Sequence, residues 1–251
     1  MRPILVYVIM TQKIARYVLI LIGLGLLTAC GSADRLRVDL PKDWKGAWVM
    51  YTFPLDEAKP KALVDTLQPD RHRLTWNKEG TENLEIVLIP VGAPRFDRQG
   101  SSYKLHLYLT PEERIRASVT GTPEAFTYEI SEGSRLNREV CAFTNAFAPG
   151  LEAERLAMNR LFDLLQEKRE TKIRIDSLLA PAKESHIANG KFAIDYYKDH
   201  SRDVAASHYW LHIFSSEAIA LATLMPNGVR NGLLKHRIDA RLQPKEPVPT
   251  R

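Results

Sequence analysis

The chain has 251 residues, of which 45% are hydrophobic and 26% charged, so it can bury a core and is too apolar for a disordered chain. Its formal charge is +5, but removing Arg2, Lys13 and Arg16 of the N-terminal segment from the 35 basic residues leaves 32 beside 30 acidic ones. This balance argues against a nucleic-acid partner, because phosphate polymers attract a concentrated positive charge.

An apolar segment lies near the N-terminus, over residues 14–27, and its strongest part is only about ten residues long. A membrane-spanning helix needs roughly 20 apolar residues, whereas a basic flank, a short apolar run and small residues are typical of a cleaved secretory signal. We therefore predict a signal peptide over residues 1–29. Met10 is an alternative start, because it places Lys13 and Arg16 directly before the apolar run.

The predicted signal ends in Leu27-Thr28-Ala29-Cys30, which resembles the lipobox of bacterial lipoproteins. In that class the chain is cut between Ala29 and Cys30, the cysteine sulfur carries a diacylglycerol, and the new amine is often acylated, for example with palmitate. Two or three acyl chains hold a protein at a membrane, since each buried methylene contributes about 0.8 kcal/mol. Gly31 follows the cysteine where an aspartate would retain the protein at the inner membrane. The resemblance implies a lipid anchor in the outer membrane and a domain that faces the periplasm.

The remaining chain predicts one folded domain. We expect a tether over residues 30–43, a single α+β domain over residues 44–242, and a flexible, proline-rich tail over residues 243–251. Cys141 is the only thiol left beside Cys30, so no intrachain disulfide is expected. It lies between apolar residues of a predicted helix, which favours a buried, unreactive thiol.

Alternating apolar and polar residues predict a meander of antiparallel strands over residues 84–131. Residues 86–89 are apolar on both faces, as in a central strand. In the segment 103–109 the even positions, His106 among them, form the polar face. The odd positions form its apolar face: Leu105, Leu107 and Leu109.

Helical spacing of apolar residues predicts one main helix over about residues 150–168, preceded by a short helix over 137–147. A further helix is expected after Pro60. After residue 172 the alternation of Phe192, Ile194 and Tyr196 predicts that strands return, with a helix over 217–225 as an alternative. The predicted fold class is α+β: an antiparallel sheet packed against the main helix and one or two short ones.

His208 and His212 are the candidate metal ligands, because two histidines four residues apart can chelate zinc from a helix. The zinc-protease motif needs glutamate after the first histidine, and Tyr209 stands there. On a strand the two histidines would lie about 13 Å apart. We therefore expect an aromatic strand, with no metal and no cofactor.

The sequence contains no Gly-x-Ser-x-Gly motif and no phosphate-binding glycine loop, so no catalytic residue is assigned and enzymatic activity is not favoured. For a binding surface there remain aromatic side chains, which we expect mostly to pack in the core, and arginine side chains that could hold an acidic partner if their loops meet. They are Trp44, Trp48, Arg71, Arg73, Arg95 and Arg98.

Three functional hypotheses follow from the predicted location and fold. The first is a non-catalytic lipoprotein that binds another envelope or exported protein, as an assembly accessory or as an inhibitor or immunity-type protein. The second is a periplasmic hydrolase of envelope glycan, lipid or peptide, which requires His208 and His212 to converge with a carboxylate in a cleft. The third is a lipid- or glycan-binding module, which predicts an open apolar groove.

Overall fold

The computed structural model describes residues 34–57, 60–77, 80, 82–92, 95–96, 100–167 and 172–243. The predicted signal peptide, the cleavage position between Ala29 and Cys30, and most of the predicted tail lie outside these residues. From Arg35 onward the described residues belong to one compact unit. Among the helices within these ranges, none combines the length and the apolar character that a bilayer span requires.

The strands of the described residues belong to two four-stranded sheets and one two-stranded sheet. In chain order they are β1 (Leu36–Asp39), β2 (Trp48–Pro54), β3 (Leu63–Leu67), β4 (Arg73–Trp76), β5 (Leu84–Pro90), β6 (Arg95–Phe96), β7 (Gly100–Ser101), β8 (Leu105–Leu109), β9 (Ile115–Thr122) and β10 (Ala125–Glu132). Sheet 1 has the order β10-β9-β1-β4, sheet 2 has the order β3-β2-β5-β8, and β6 pairs with β7.

The strands predicted between residues 84 and 131 are present, but the single meander is wrong. β5 lies between β2 and β8, which agrees with its apolar residues on both faces. β9 pairs with β10 and, in parallel, with β1, so β8 and β9 belong to different sheets. Alternation identifies a strand but not its partner, and here Ile115 pairs with the distant Leu36. The segment after Pro60 forms β3 instead of a helix, and β1 lies within the predicted tether.

Helices occupy the second half of the chain, which confirms the α+β class. They are α1 (Arg135–Glu167), α2 (Lys172–Asp199), α3 (Ala206–Leu211), α4 (Ala218–Leu221), a 3-10 turn (Ala222–Leu224), α5 (Asn227–Arg230) and α6 (Lys235–Leu242). The main helix predicted over 150–168 and the short helix predicted over 137–147 are both parts of α1, which continues through Pro149.

The strands predicted after residue 172 are wrong, because this region is helical. In α2 the residues Asn189, Ala193 and Tyr197 are buried, and their spacing of four is the period of a helix. Phe192 and Tyr196 are also four residues apart, and their ring centroids are 5.6 Å from each other. The even-numbered aromatic residues fit a period of two as well, which explains the wrong prediction.

Two clusters of buried apolar side chains meet at β8. The first contains residues of both sheets, including Leu105, Leu107 and Leu109. The second is formed mainly by the helices, and Tyr108 belongs to it. His106 is only 6% exposed. β8 is therefore buried on both faces, and helices rather than water cover the face that carries His106.

Two asparagines of α1 each bond an end strand of one four-stranded sheet: Asn137 bonds β8 and Asn145 bonds β10. Asn137 accepts a hydrogen bond from the Tyr108 N–H and donates one to the Tyr108 carbonyl, both at 2.7 Å. Asn145 makes the same two bonds with Tyr128 in β10, at 3.2 and 2.7 Å. β8 and β10 end their sheets, so the asparagines satisfy backbone groups that lack a partner strand. The Tyr128 hydroxyl likewise donates to the His106 carbonyl, at 3.1 Å.

α1 and α2 pack closely at Gly150. The buried amide of Asn189 in α2 donates to the Gly150 carbonyl at 3.0 Å and to the Glu154 carboxylate at 2.7 Å. A Cβ atom on residue 150 would overlap the Oδ1 atom of Asn189. A side chain at residue 150 would therefore displace the Asn189 amide from its two hydrogen bonds, which glycine avoids.

We expect Gly150→Ala to lower the free energy of unfolding by about 1–3 kcal/mol, the usual cost of overpacking. Gly190→Ala is the matched control, because Gly190 lies in α2 and a Cβ there meets nothing within 4 Å. Since alanine favours helices, the control should be neutral or stabilising by up to about 1 kcal/mol. Urea denaturation followed by circular dichroism measures both, and equal losses would contradict the close packing.

Candidate functional site

Three histidines from distant parts of the chain lie together. His106 belongs to β8, His208 belongs to α3, and His212 follows the last residue of α3. One ring nitrogen of each lies within 4.8 Å of the other two. The ring centroids of His106 and His208 are 4.6 Å apart, and those of His208 and His212 are 4.8 Å apart. These three residues are called the histidine cluster below.

The strand predicted at His208 and His212 is wrong, because α3 brings the two rings to one side of a helical turn. Trp210 holds this segment: it is fully buried, and its indole N–H donates to the Ala218 carbonyl at 2.7 Å. Arg241 of α6 donates to the Trp210 carbonyl at 3.0 Å and covers the Trp210 ring. The positions of both histidines are thus fixed by packing and by hydrogen bonds.

Glu85 of β5 is the carboxylate at the cluster. Its Oε1 atom lies 2.5 Å from Nε2 of His106, and its other oxygen pairs with Arg237 of α6. Burial raises the pKa of Glu85, but His106 and Arg237 outweigh burial and lower the pKa to about 2. An ionised carboxylate only accepts hydrogen bonds, so Nε2 of His106 carries a proton. Nδ1 of His106 is buried and has no hydrogen-bond partner among the described residues.

Tyr108 holds the second histidine. Its hydroxyl lies 2.9 Å from Nδ1 of His208, while Nε2 of His208 is buried without a partner among the described residues. Burial, with smaller contributions from the other two histidines, holds the pKa of His208 well below its usual range. Burial and the nearby Lys104 lower the pKa of His212 to about 3. Both rings are therefore neutral at pH 7.

A cleft of about 700 Å³ reaches the cluster at His212. Polar residues that line it include Asn189, Ser215 and Glu217. Its apolar lining consists of Phe147, Leu151, Ile187, Ile194 and Phe214. Ile187 and Phe214 are 69% and 78% exposed. The volume and the lining are typical of ligand-binding sites in proteins. This space is called the apolar cleft below.

The two tryptophan candidates lie elsewhere. Trp44 and Trp48 are 5% and 1% exposed, and their ring centroids are 5.8 Å apart. Phe126 of β10 packs against both rings. These residues therefore belong to the core between the sheets rather than to an exposed binding face.

The arginine candidates are only partly described. Arg71 is exposed in a turn with a positive φ of 47°, and Arg73 pairs with Asp39 at 3.1 Å. Arg98 lies outside the described residues, as does the side chain of Arg95. A common site formed by these arginines stays a prediction.

Cys141 is a buried free thiol, which confirms the sequence-based expectation. Its sulfur donates to the Tyr128 carbonyl at 2.8 Å. Burial, with a contribution from Glu129, raises the pKa of this thiol to about 12. It is therefore protonated and unsuited to nucleophilic chemistry.

His106, Glu85 and Tyr108 were not predicted from the sequence as parts of a site. Tyr108 and His208 are 100 residues apart in the chain, so no local motif joins them. One signal was present: the face of β8 opposite the leucines carries histidine and tyrosine, residues that are often largely buried. Such a face indicates that another part of the chain covers the strand.

Comparison of the chain with protein-family models, with curated proteins and with solved structures finds no match. Function is therefore inferred from the histidine cluster and the apolar cleft.

Proposed function

We propose that this protein is a lipid-anchored lipoprotein of the outer membrane that binds an apolar segment of another envelope or exported protein in the apolar cleft. The cleft, which is lined by α1, α2 and residues 212–217, is the observation that carries the proposal. Ile187 and Phe214 of this cleft are largely exposed. Burying such apolar side chains against a partner is favourable, so their exposure indicates a binding surface.

The polar groups of the cleft favour a peptide over an acyl chain as its occupant. Ser215 and Glu217 are exposed, and the Glu217 side chain makes no capping hydrogen bond at the start of α4. They are suited to bind the main chain or a basic residue that flanks an apolar peptide segment, whereas an acyl chain needs only apolar walls. We therefore expect a segment with one or two large apolar side chains and a neighbouring lysine or arginine.

The proposed anchor holds the start of the domain near the membrane. β1 begins at Leu36, six residues after Cys30. A fully extended chain spans at most about 3.6 Å per residue, so a lipidated Cys30 holds the start of the domain within about 20 Å of the membrane surface. The partners that such an anchored domain can reach are envelope proteins and exported proteins that pass through the periplasm.

Site-specific photo-crosslinking in cells tests the proposal. The full-length chain carries a photoreactive amino acid at Ile187, and the matched control carries it at Val64, which is 61% exposed on β3. We expect an adduct with one exported protein at residue 187 and no such adduct at residue 64. Ile194→Glu, which places a charge in the cleft, should abolish the adduct.

Other outcomes contradict this function. An adduct of mass equal to a phospholipid or an acyl chain would favour the lipid-binding module, and equal adducts at residues 187 and 64 would show contact without a site. Cys30→Ala tests the anchor separately, since it should move the protein from the membrane fraction to the soluble fraction.

An envelope hydrolase is a second candidate, favoured by one observation. His208 and His212 converge with His106 and Glu85, and His212 lines a cleft. Incubation of the full chain with isolated envelope glycan, phospholipid and peptide substrates tests it. Turnover by the wild-type protein that His212→Gln lacks would support a hydrolase, and equal rates for both proteins would remove this candidate.

A further inference from the structure

We infer that the histidine cluster binds a divalent transition-metal ion of the zinc class, with His106, His208 and His212 as its protein ligands. One nitrogen of each ring lies within 4.8 Å of the others. A zinc ion about 2.0–2.1 Å from each nitrogen needs them about 3.4 Å apart, so binding draws the rings together by roughly an ångström. Three histidines with one open position form a coordination that zinc adopts in proteins.

Two buried nitrogens without partners support this assignment. Nδ1 of His106 and Nε2 of His208 make no hydrogen bond among the described residues, although the two residues are 6% and 1% exposed. Buried polar atoms of proteins are almost always paired. Coordination to a metal ion would give each of these nitrogens a partner.

The second ring nitrogens, Nε2 of His106 and Nδ1 of His208, lie beside oxygen atoms, as is usual for metal-binding histidines. Nε2 of His106 donates to the Glu85 carboxylate, and Nδ1 of His208 lies beside the Tyr108 hydroxyl. In metal sites the second ring nitrogen commonly donates to a carboxylate or another oxygen, which fixes the ring and the tautomer. Glu85 and Tyr108 are therefore positioning residues, and neither is a ligand.

The surroundings of the cluster select the kind of ion. Its donors are imidazole nitrogens, and the nearby Lys104 and Arg237 are basic. Mg²⁺ and Ca²⁺ require oxygen ligands and negative charge, whereas Zn²⁺, Ni²⁺ and Cu²⁺ bind imidazole well. His212 also lines the apolar cleft, so the ion would lie beside this cleft.

Zinc titration of the full chain tests the inference. The protein is purified in mild detergent with a tag that contains no histidine, stripped with a chelator, and titrated with zinc sulfate. We expect one zinc ion per chain and, at zinc 100-fold above Kd, a rise in thermal midpoint of about 5–10 °C. Cobalt(II) should give the visible absorption of a tetrahedral site, and magnesium chloride should leave the midpoint unchanged.

Variants separate this site from adventitious binding. His212→Gln should weaken zinc binding by more than about 100-fold, because it removes a ligand, and Tyr108→Phe should weaken it by about 10–100-fold. His186→Gln is the matched control, since His186 lines the same cleft, is exposed and pairs with Glu154 instead.

Three results would overturn the inference: no saturation at one ion per chain, equal affinity of His212→Gln and the wild-type protein, or equal losses in His186→Gln and His212→Gln. Circular dichroism shows whether each variant is folded. Should His212→Gln fail to fold, Tyr108→Phe decides, because it keeps the ring and removes only the hydroxyl. An unchanged zinc affinity of Tyr108→Phe would then contradict the site.

Discussion

Arg237→Met is expected to lower the free energy of unfolding at pH 7 by about 3–5 kcal/mol. Arg237 of α6 pairs with Glu85, whose side chain is 7% exposed, so the substitution leaves a buried carboxylate with His106 as its remaining partner. Removing one member of a buried ion pair is strongly destabilising, because the other charge stays desolvated. Chemical denaturation followed by tryptophan fluorescence measures the loss.

Two further variants distinguish this effect from a general loss of charge. Glu85→Gln combined with Arg237→Met removes both charges and should recover most of the stability. Lys191→Met is the matched surface control, because Lys191 pairs with Asp195 at an exposed position of α2. It should leave the free energy of unfolding almost unchanged, because water screens an exposed ion pair. A loss in Arg237→Met no larger than this would show that the buried pair is unimportant.

The pH dependence of stability measures the contribution of the ionised Glu85 carboxylate independently. The pKa of Glu85 falls from 4.5 to about 2 on folding, so its contribution is complete above the unfolded value and disappears as the pH falls through the folded value. Glu85→Gln removes this contribution, which amounts to about 3 kcal/mol. The stability difference between the wild-type protein and Glu85→Gln should therefore narrow between about pH 5 and pH 2.

Asn137→Ala is expected to cost about 2–6 kcal/mol of unfolding free energy. Asn137 is fully buried and bonds both backbone groups of Tyr108, and each buried group left unpaired costs about 1–3 kcal/mol. Urea denaturation measures the loss. Asn145→Ala is the comparison, because it removes the same two bonds from Tyr128 at a half-buried position where water can replace them. Equal losses in both variants would contradict the role of burial.

The sequence predicted those features of the fold that depend on local periodicity. The alternation of Leu105, Leu107 and Leu109 identified β8, and the continuous apolar run at residues 86–89 identified a strand inside a sheet. The parallel pairing of β1 with β9 could not be predicted, because it depends on which exposed edges remain after local strands have paired. In α2 the aromatic residues fit both periods, and only the buried partners select the helix.

The candidate site was predicted less well than the fold. His208 and His212 were identified as a pair with the spacing of a chelate, but the strand assignment separated them. His106 was placed correctly on the face of β8 opposite the leucines, yet nothing in the chain near it predicts that α3 covers this face. The site depends on contacts between residues about 100 positions apart, which periodicity does not contain.

The two asparagines of α1 also affect how the domain unfolds. Asn137 and Asn145 join one helix to the last strand of each sheet, so neither edge keeps its hydrogen bonds once α1 departs. The two sheets and α1 should then behave as one cooperative unit. In hydrogen–deuterium exchange, the amide proton of Tyr108 should exchange at the slow rate that global unfolding sets, although its hydrogen-bond partner Asn137 belongs to a helix and not to a neighbouring strand.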